Sequence, residues 1–487
     1  MENYSALNLP FDATPDEIRA AYFDAARKYH PDANNGEDDG RRFIEVQQAY
    51  DILSNAARRA AYDRTLPVAV KSPPEVRVEV SFSRTTIHQS EKPQLIYALL
   101  DIECLKNNIS DDLPPAHVCI ILDRSSSMRG ERLDMVRSNI IQLLHKMKPT
   151  DVISIVTFSD RAEVLLPPTV VADAKRPESL LFGIGPGGAT EIFQGLELGF
   201  EVFRRFAGRS NFLKHLILIT DGQTYGDEEQ CYELAERSNS EGISINALGI
   251  GHEWNDVFLD RLASISGGKS IYIRNKEDLA QFIEQKINTL SVNYARRMEM
   301  QLDLPNNIQL TDAFRIFPDG NPLEVQSPIQ LGSLEYGRKT GVILEFKIDG
   351  LPGEQSVGKI ANGRIIFEVP TKPIPIERLF VNLERPITDG WVKEKVPTAI
   401  FNAMSQLSLY RLQEKAREEA AAGDVENATK HLKFLASRLL IRGNQELAQS
   451  ALLEVDRLNN QQGFSEAGQK DIKYGTRSLF LLPSPEQ

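Results

Sequence analysis

Asp123, Ser125 and Ser127 follow the apolar run Val118-Cys119-Ile120-Ile121-Leu122, and two more oxygen-rich segments lie downstream. Gly187-Gly188-Ala189-Thr190 stands ahead of a helical pattern, and Thr220-Asp221-Gly222 ends the run that begins at His215. Carboxylates and hydroxyls are hard oxygen donors, which suit Mg²⁺ or Mn²⁺ over zinc. A lone Asp-x-Ser-x-Ser is a weak signal, because Asp and Ser cluster in turns after any strand. Ser125 and Ser127 also stand where they can cap the helix behind them. Three such segments in this order are a stronger signal. A second chemical feature is His30-Pro31-Asp32, preceded by Arg27 and Lys28. Taken singly, His30, Arg27 and Lys28 suit a helix C-terminus through the macrodipole, and Pro31 suits a helix stop.

The run 118–122 is continuous, as expected of a strand buried on both faces of a parallel sheet. A helical pattern follows through Leu133, Val136, Ile140 and Leu144. Strands are predicted over 152–158, 215–220, 243–250 and 270–273, and helices over 192–206, 228–240 and 278–290. Alternating strands and helices define a multidomain α/β chain whose doubly wound domain carries ligands at the carboxyl ends of its strands. Thr14, Pro15 and Glu17 form a capping box with proline at the first helical position. Ile18, Ala21, Tyr22, Ala25 and Tyr29 then share one helix face, and Phe43, Val46, Tyr50 and Leu53 share the face of a second. The two predict an antiparallel helical hairpin, with Asp32 to Gly40 as its polar loop.

On both sides of the α/β segment the pattern turns to alternating strands: 76–80 and 96–102 before it, 298–302, 342–348, 364–369 and 379–383 after it. These predict one β-sandwich interrupted by the α/β domain, since residues 74–105 are too few to fold alone. From Thr398 the chain reads as helical, punctuated by Gly423-Asp424 and Gly443-Asn444, with Ala428/Leu432 and Ala448/Leu452 as paired apolar positions. The units are too few for a solenoid, and a helical cap on the sandwich is expected. The domain limits are 1–65 for the helical hairpin unit, 66–75 for a Pro-containing linker and 76–115 with 295–390 for the sandwich. The α/β domain spans 116–294, the C-terminal helices 396–462 and a tail 463–487.

At 487 residues the chain holds several domains. A hydrophobic share of 41% and a charged share of 25% are those of a globular protein. A formal net charge of −12 argues against a sequence-independent nucleic-acid binder. The start lacks a secretory pattern, and no apolar run is long enough to span a bilayer. Cys104, Cys119 and Cys231 form neither a disulfide framework nor a zinc knuckle. A cytoplasmic location is the expectation.

Residues 1–65 resemble a J-domain, on the strength of Tyr4-Ser5-Ala6-Leu7, Ala21-Tyr22, Ala25-Ala26-Arg27-Lys28-Tyr29, His30-Pro31-Asp32, Phe43, Ala49-Tyr50, Leu53 and Tyr62-Asp63. The resemblance implies a partner, a DnaK-type chaperone whose ATP hydrolysis is triggered by His30, Pro31 and Asp32, with Arg27 and Lys28 on the docking face. The Gly/Phe-rich linker and CxxC repeats of the longest J-proteins are absent. The α/β domain resembles the von Willebrand factor A (VWA) domain with its metal-ion-dependent adhesion site. The resemblance assigns Asp123, Ser125, Ser127, Thr190 and Asp221 as ligands of Mg²⁺ or Mn²⁺, and implies a protein partner whose acidic group completes the coordination. The architecture as a whole is similar to that of soluble bacterial VWA proteins.

Enzyme readings fare worse. A haloacid-dehalogenase phosphatase needs a second acid where Ser125 stands. The glycines at 183–188 lead to no Gly-Lys-Ser/Thr, and no serine sits in a G-x-S-x-G elbow. The expected function is a non-enzymatic co-chaperone or adaptor that recruits DnaK to a partner held through Mg²⁺. The alternative is a metal-dependent assembly scaffold without co-chaperone activity.

Overall fold

The computed structural model describes residues 2–7, 9, 13–29, 37–66, 75–105, 114–172, 175–206, 212–224, 226–289, 292–351, 357–372, 374–389 and 396–481. Four helices come first: α1 (Glu2–Ala6), α2 (Pro15–Tyr29), α3 (Glu37–Leu53) and α4 (Ala56–Thr65). The capping box forms, with Thr14 N donating to Glu17 Oε2 at 2.8 Å and Glu17 N to Thr14 Oγ1 at 3.3 Å. Ile18, Val46, Ala49 and Leu53 are buried between α2 and α3, and the Tyr22 and Tyr50 rings stack at 4.1 Å. The expected loop was too long: α3 begins at Glu37, so residues 37–40 are helical despite their acids. Acidic side chains suit a first turn, where the helix dipole favours negative charge.

β1 (Val76–Phe82), β2 (Ile87–His88) and β3 (Gln94–Cys104) lead into the α/β domain. That domain runs β4 (Ala116–Asp123), α5 (Glu131–Lys146), β5 (Val152–Phe158), β6 (Ala162–Val170), α6 (Lys175–Phe182), α7 (Ile192–Arg205), β7 (Leu213–Thr220), α8 (Glu228–Ser240), β8 (Ser244–Ile250), α9 (Asp256–Ile265), β9 (Ser270–Ile273) and α10 (Lys276–Thr289). Its sheet order is β6-β5-β4-β7-β8-β9, parallel except for β6 at the edge. Every residue of the central strand β4 is buried, which accounts for its unbroken apolar run. Sequence patterning missed β6, whose exposed edge and prolines 167 and 168 erase alternation. It also missed α6 and α9.

The chain then returns through β10 (Asn293–Asp303), β11 (Ile308–Phe317), β12 (Asn321–Leu323), β13 (Ile329–Glu335), β14 (Lys339–Ile348), β15 (Val357–Glu368) and β16 (Ile376–Thr388). Two five-stranded sheets result, β1-β3-β14-β11-β12 and β13-β10-β15-β16-β2, so segments from both sides of the α/β domain build one sandwich around a shared core. β3 alternates weakly because both of its faces are covered. Ala98, Leu100 and Ile102 face the sandwich core, while Leu99 packs outward against Ile400, Ala403 and Leu407 of α11.

α11 (Thr398–Ala421), α12 (Val425–Ile441), α13 (Gln445–Asn459) and α14 (Glu466–Ser478) complete the chain, α11 capping the sandwich as expected. Two readings are corrected here. Residues 466–481 are not a tail, since α14 docks with Lys473, Thr476 and Arg477 buried and Phe480 sealed against Phe314. The apolar face of α13 runs through Ala448, Ala451, Val455 and Leu458, leaving Leu452 exposed.

The N-terminal helices precede the Pro-containing segment 66–75. The structure seats them on the sandwich. Leu66 and Ile374 join the N-terminal core, and Glu17 pairs with Arg364 and, at 3.1 Å, with Arg378. Burial works against the Glu17 carboxylate, but hydrogen bonds from Thr14 and the two arginines hold it down at about 2. A folded-state value below the ordinary one means that the contact is intact above about pH 4.5 and is lost as pH falls towards 2. Glu17→Gln keeps the capping geometry and removes the charge. Small-angle scattering should then show a larger radius of gyration with the main unfolding transition unchanged. An unaltered radius would mean that the ion pairs do not hold the seat.

Candidate functional site

Asp123, at the end of β4, is fully buried. Its Oδ1 accepts from Ser125 N at 2.7 Å and its Oδ2 from Thr220 Oγ1 at 2.6 Å. Burial pushes this carboxyl up to about 6 against the pull of those hydrogen bonds, and nearby Asp221 adds to the rise. Ser125 Oγ lies 3.0 Å from Ser127 Oγ, which donates to Asp221 Oδ1 at 2.7 Å. Asp221 is itself fully buried just past β7. Four of the five expected ligands are thus linked by hydrogen bonds across the ends of two adjacent parallel strands.

Thr190 arrives from a separate loop. Gly187 N donates to Arg124 O at 2.8 Å, Ser126 N to Gly188 O at 3.2 Å, and Ala189 N to Asp160 Oδ1 at 2.5 Å. Gly188 has φ +89° over the Asp160 carboxylate, where a side chain would be both strained and obstructed. Thr190 then packs against Gly222, at which a Cβ would stand 2.9 Å from Thr190 Oγ1. The glycine after Asp221 is what lets the threonine pack there, one residue away from Asp221.

Two residues of the site were not read from the sequence. Thr220 fixes Asp123, and its position beside Asp221 was the available signal. Arg132, on the first turn of α5, forms an ion pair with Asp221 Oδ2 and lies 3.5 Å from Glu253. No spacing rule pointed to it, because the pair spans 89 positions. Among the described residues no cluster of three or more His, Cys, Asp or Glu could hold a metal. A site of two carboxylates with hydroxyls is a different donor set, and it matches a hard cation that retains water. A buried Asp123 carboxyl without a cationic partner among the described residues fits the same ion.

On the N-terminal unit, Arg27 is exposed on α2. His30, Pro31 and Asp32 and the side chain of Lys28 lie outside the described residues. Cys104, Cys119 and Cys231 are all buried. None of the described helices is long and apolar enough to cross a membrane.

Residues 2–63 match the DnaJ domain family, residues 117–285 the von Willebrand factor type A domain, and residues 398–482 the Sll0103-like C-terminal alpha-helical domain. The chain therefore joins a DnaJ domain to a VWA domain. It is similar to uncharacterized protein sll0103 of Synechocystis sp., at 24% identity over 388 residues, covering 76% of this chain and 89% of that protein. Over 65 residues it is 48% identical to the chaperone protein DnaJ of Chlamydia trachomatis, covering 13% of this chain and 17% of DnaJ. Among solved structures, a von Willebrand factor type A protein from Catenulispora acidiphila superposes with a TM-score of 0.66 at 13% identity, covering 83% of this chain and 97% of that one. At that identity the likeness is one of fold.

Proposed function

We propose that this protein is a cytoplasmic, non-enzymatic co-chaperone or adaptor. Its DnaJ domain would engage a DnaK-type chaperone, and its VWA domain would hold a protein partner. The observation that supports the reading is the hydrogen-bonded set Asp123, Ser125, Ser127 and Asp221, with Thr190 packed against Gly222, on a chain that also carries a DnaJ domain. Those five residues would hold Mg²⁺ or Mn²⁺, which supplies a partly hydrated positive centre for an acidic group of the partner. Thr220 and the Ser125 amide orient Asp123, and Gly222 admits Thr190, so the donors are positioned before a partner arrives. Arg27 stands exposed on α2 for the chaperone.

The test is ATP hydrolysis by a cognate DnaK. The protein should accelerate it, and His30→Gln should abolish the acceleration with the unfolding midpoint unchanged. Partner capture in a pull-down should disappear with chelator. Equal stimulation by wild type and His30→Gln would leave the scaffold as the better account.

A further inference from the structure

At the opposite end of the VWA sheet from the oxygen site, a small open cleft lies between the VWA domain and the sandwich. The starts of β7, β8 and β9 form one wall, and β10, β13 and the end of β11 form the other. Among the described residues, six lysines and arginines line it against two carboxylates, Asp319 and Glu335. Both carboxylates are already engaged: Asp319 accepts from Arg315 at 2.7 Å, and Glu335 pairs with Arg338 at 3.2 Å. Arg296 pairs outside the cleft, with Glu368. Lys214, Lys269 and Lys286 add three more cations. Lys269 lies over the Phe282 ring, 5.8 Å from its centroid, and takes no carboxylate partner among the described residues.

Two donors in the lining also lack an acceptor: Nδ2 of Asn246, which is 3% exposed, and Nε of Arg296. A buried donor without a partner costs stability unless water or an ion satisfies it. Burial, helped by nearby Lys269 and opposed by Glu335, brings Lys286 down to about 8. All this occurs in a chain of formal net charge −12, so the basic cleft runs against the charge of the whole. Cations gathered at a recessed domain boundary, with unsatisfied donors among them, suit an anion with several acceptor oxygens.

We propose that this cleft is a binding site for a small phosphate-bearing anion, independent of the metal centre. Lys269 and Lys286 supply charge, and Arg296 and Asn246 supply hydrogen-bond donors.

The test is titration calorimetry on the full-length protein with inorganic phosphate and, separately, with a hexose phosphate, against sodium chloride at matched ionic strength. Either phosphate should bind one per chain where chloride gives no saturable heat. Tighter binding of the ester would identify a phosphorylated metabolite, and tighter binding of the ion would identify free phosphate. Lys269→Met, a half-buried position, should weaken binding about tenfold, and Lys269→Glu should abolish it. Asp221→Ala should leave it intact. Binding no better than chloride, or undiminished in Lys269→Glu, would overturn the proposal.

Discussion

Asp260→Ala lowers the unfolding free energy by about 3–5 kcal/mol, the cost of leaving a buried charge without its partner. Asp256 and Asp260 lie one turn apart on α9, and Lys473 and Arg477 lie one turn apart on α14. The two pairs interlock. Arg477 donates to Asp260 at 2.6 Å, Lys473 reaches Asp260 at 2.7 Å and also pairs with Asp256, and Arg417 of α11 donates to Asp256 at 2.8 Å. Burial would raise both carboxyls. For Asp256 the hydrogen bond from Arg417 and the charge of Lys473 overcome it and hold the group at about 2, and for Asp260 the charges of Arg477 and Lys473 hold it far below the ordinary range.

With alanine at 260, Arg477 keeps hydrogen bonds to Asn321 and Tyr410 and the faces of the Tyr410 and Tyr474 rings, and no carboxylate partner among the described residues. The measurement is urea unfolding followed by tryptophan emission, because Trp254 lies 5.8 Å from the Tyr474 ring of α14. The variant should show an earlier midpoint and red-shifted emission as α14 detaches. Replacing Asp260 and Arg477 together by leucine and methionine should cost less than Asp260→Ala alone, since no unpaired charge remains. Both carboxyls are depressed in the folded state, so their contribution is complete above about pH 4 and fades as pH falls towards 2. A loss under 1 kcal/mol in Asp260→Ala would show that α14 is held by its apolar contacts instead.

That network marks the limit of what the sequence disclosed. The four charged residues are spaced i, i+4 on their own helices, yet the pairs that join α9 to α14 span more than 200 positions, and side-chain periodicity carries no long-range pairing. Lys473 and Arg477 therefore read as solvated charges on a polar tail. Elements with one dry face and one wet face were legible, such as α2, α3 and α8, and so was β4, dry on both. β6 was missed because an edge strand has too little burial to impose alternation. β3 read weakly for the opposite reason, a helix covering its second face.

The oxygen-bearing residues proposed as ligands stood out in the sequence by position. Its oxygen donors sit at strand ends, where the chain order Asp123, Thr190, Asp221 follows from the alternating topology. Thr190 needed more than that, because its place depends on the absence of a side chain at Gly222. Arg132 lay beyond reach, since nothing in its neighbourhood distinguishes it from any cation on a helix surface.

Arg132 also sets the last expected result. The guanidinium shares the Asp221 carboxylate with Ser127, in the region where the proposed Mg²⁺ would be held. A unit positive charge and a divalent ion at such a site repel by several kcal/mol even at an effective dielectric of about 20. Arg132 is 30% exposed and has Glu253 at 3.5 Å as a second partner, so it can yield towards solvent and relieve most of that repulsion. The remainder, about 1–2 kcal/mol, corresponds to roughly tenfold in affinity. Arg132→Ala should therefore bind Mg²⁺ or Mn²⁺ about tenfold more tightly than wild type by titration calorimetry. Arg132→Lys should stay near wild type, because the charge remains. Asp221→Ala should lose about a hundredfold or more, since it removes one of the two acids and leaves Arg132 opposing the ion uncompensated. If Arg132→Ala instead binds the ion more weakly while Asp221→Ala abolishes binding, the arginine acts by positioning Asp221 rather than by competing for it. If neither variant alters the isotherm, the ion is bound elsewhere and these oxygens are not its ligands.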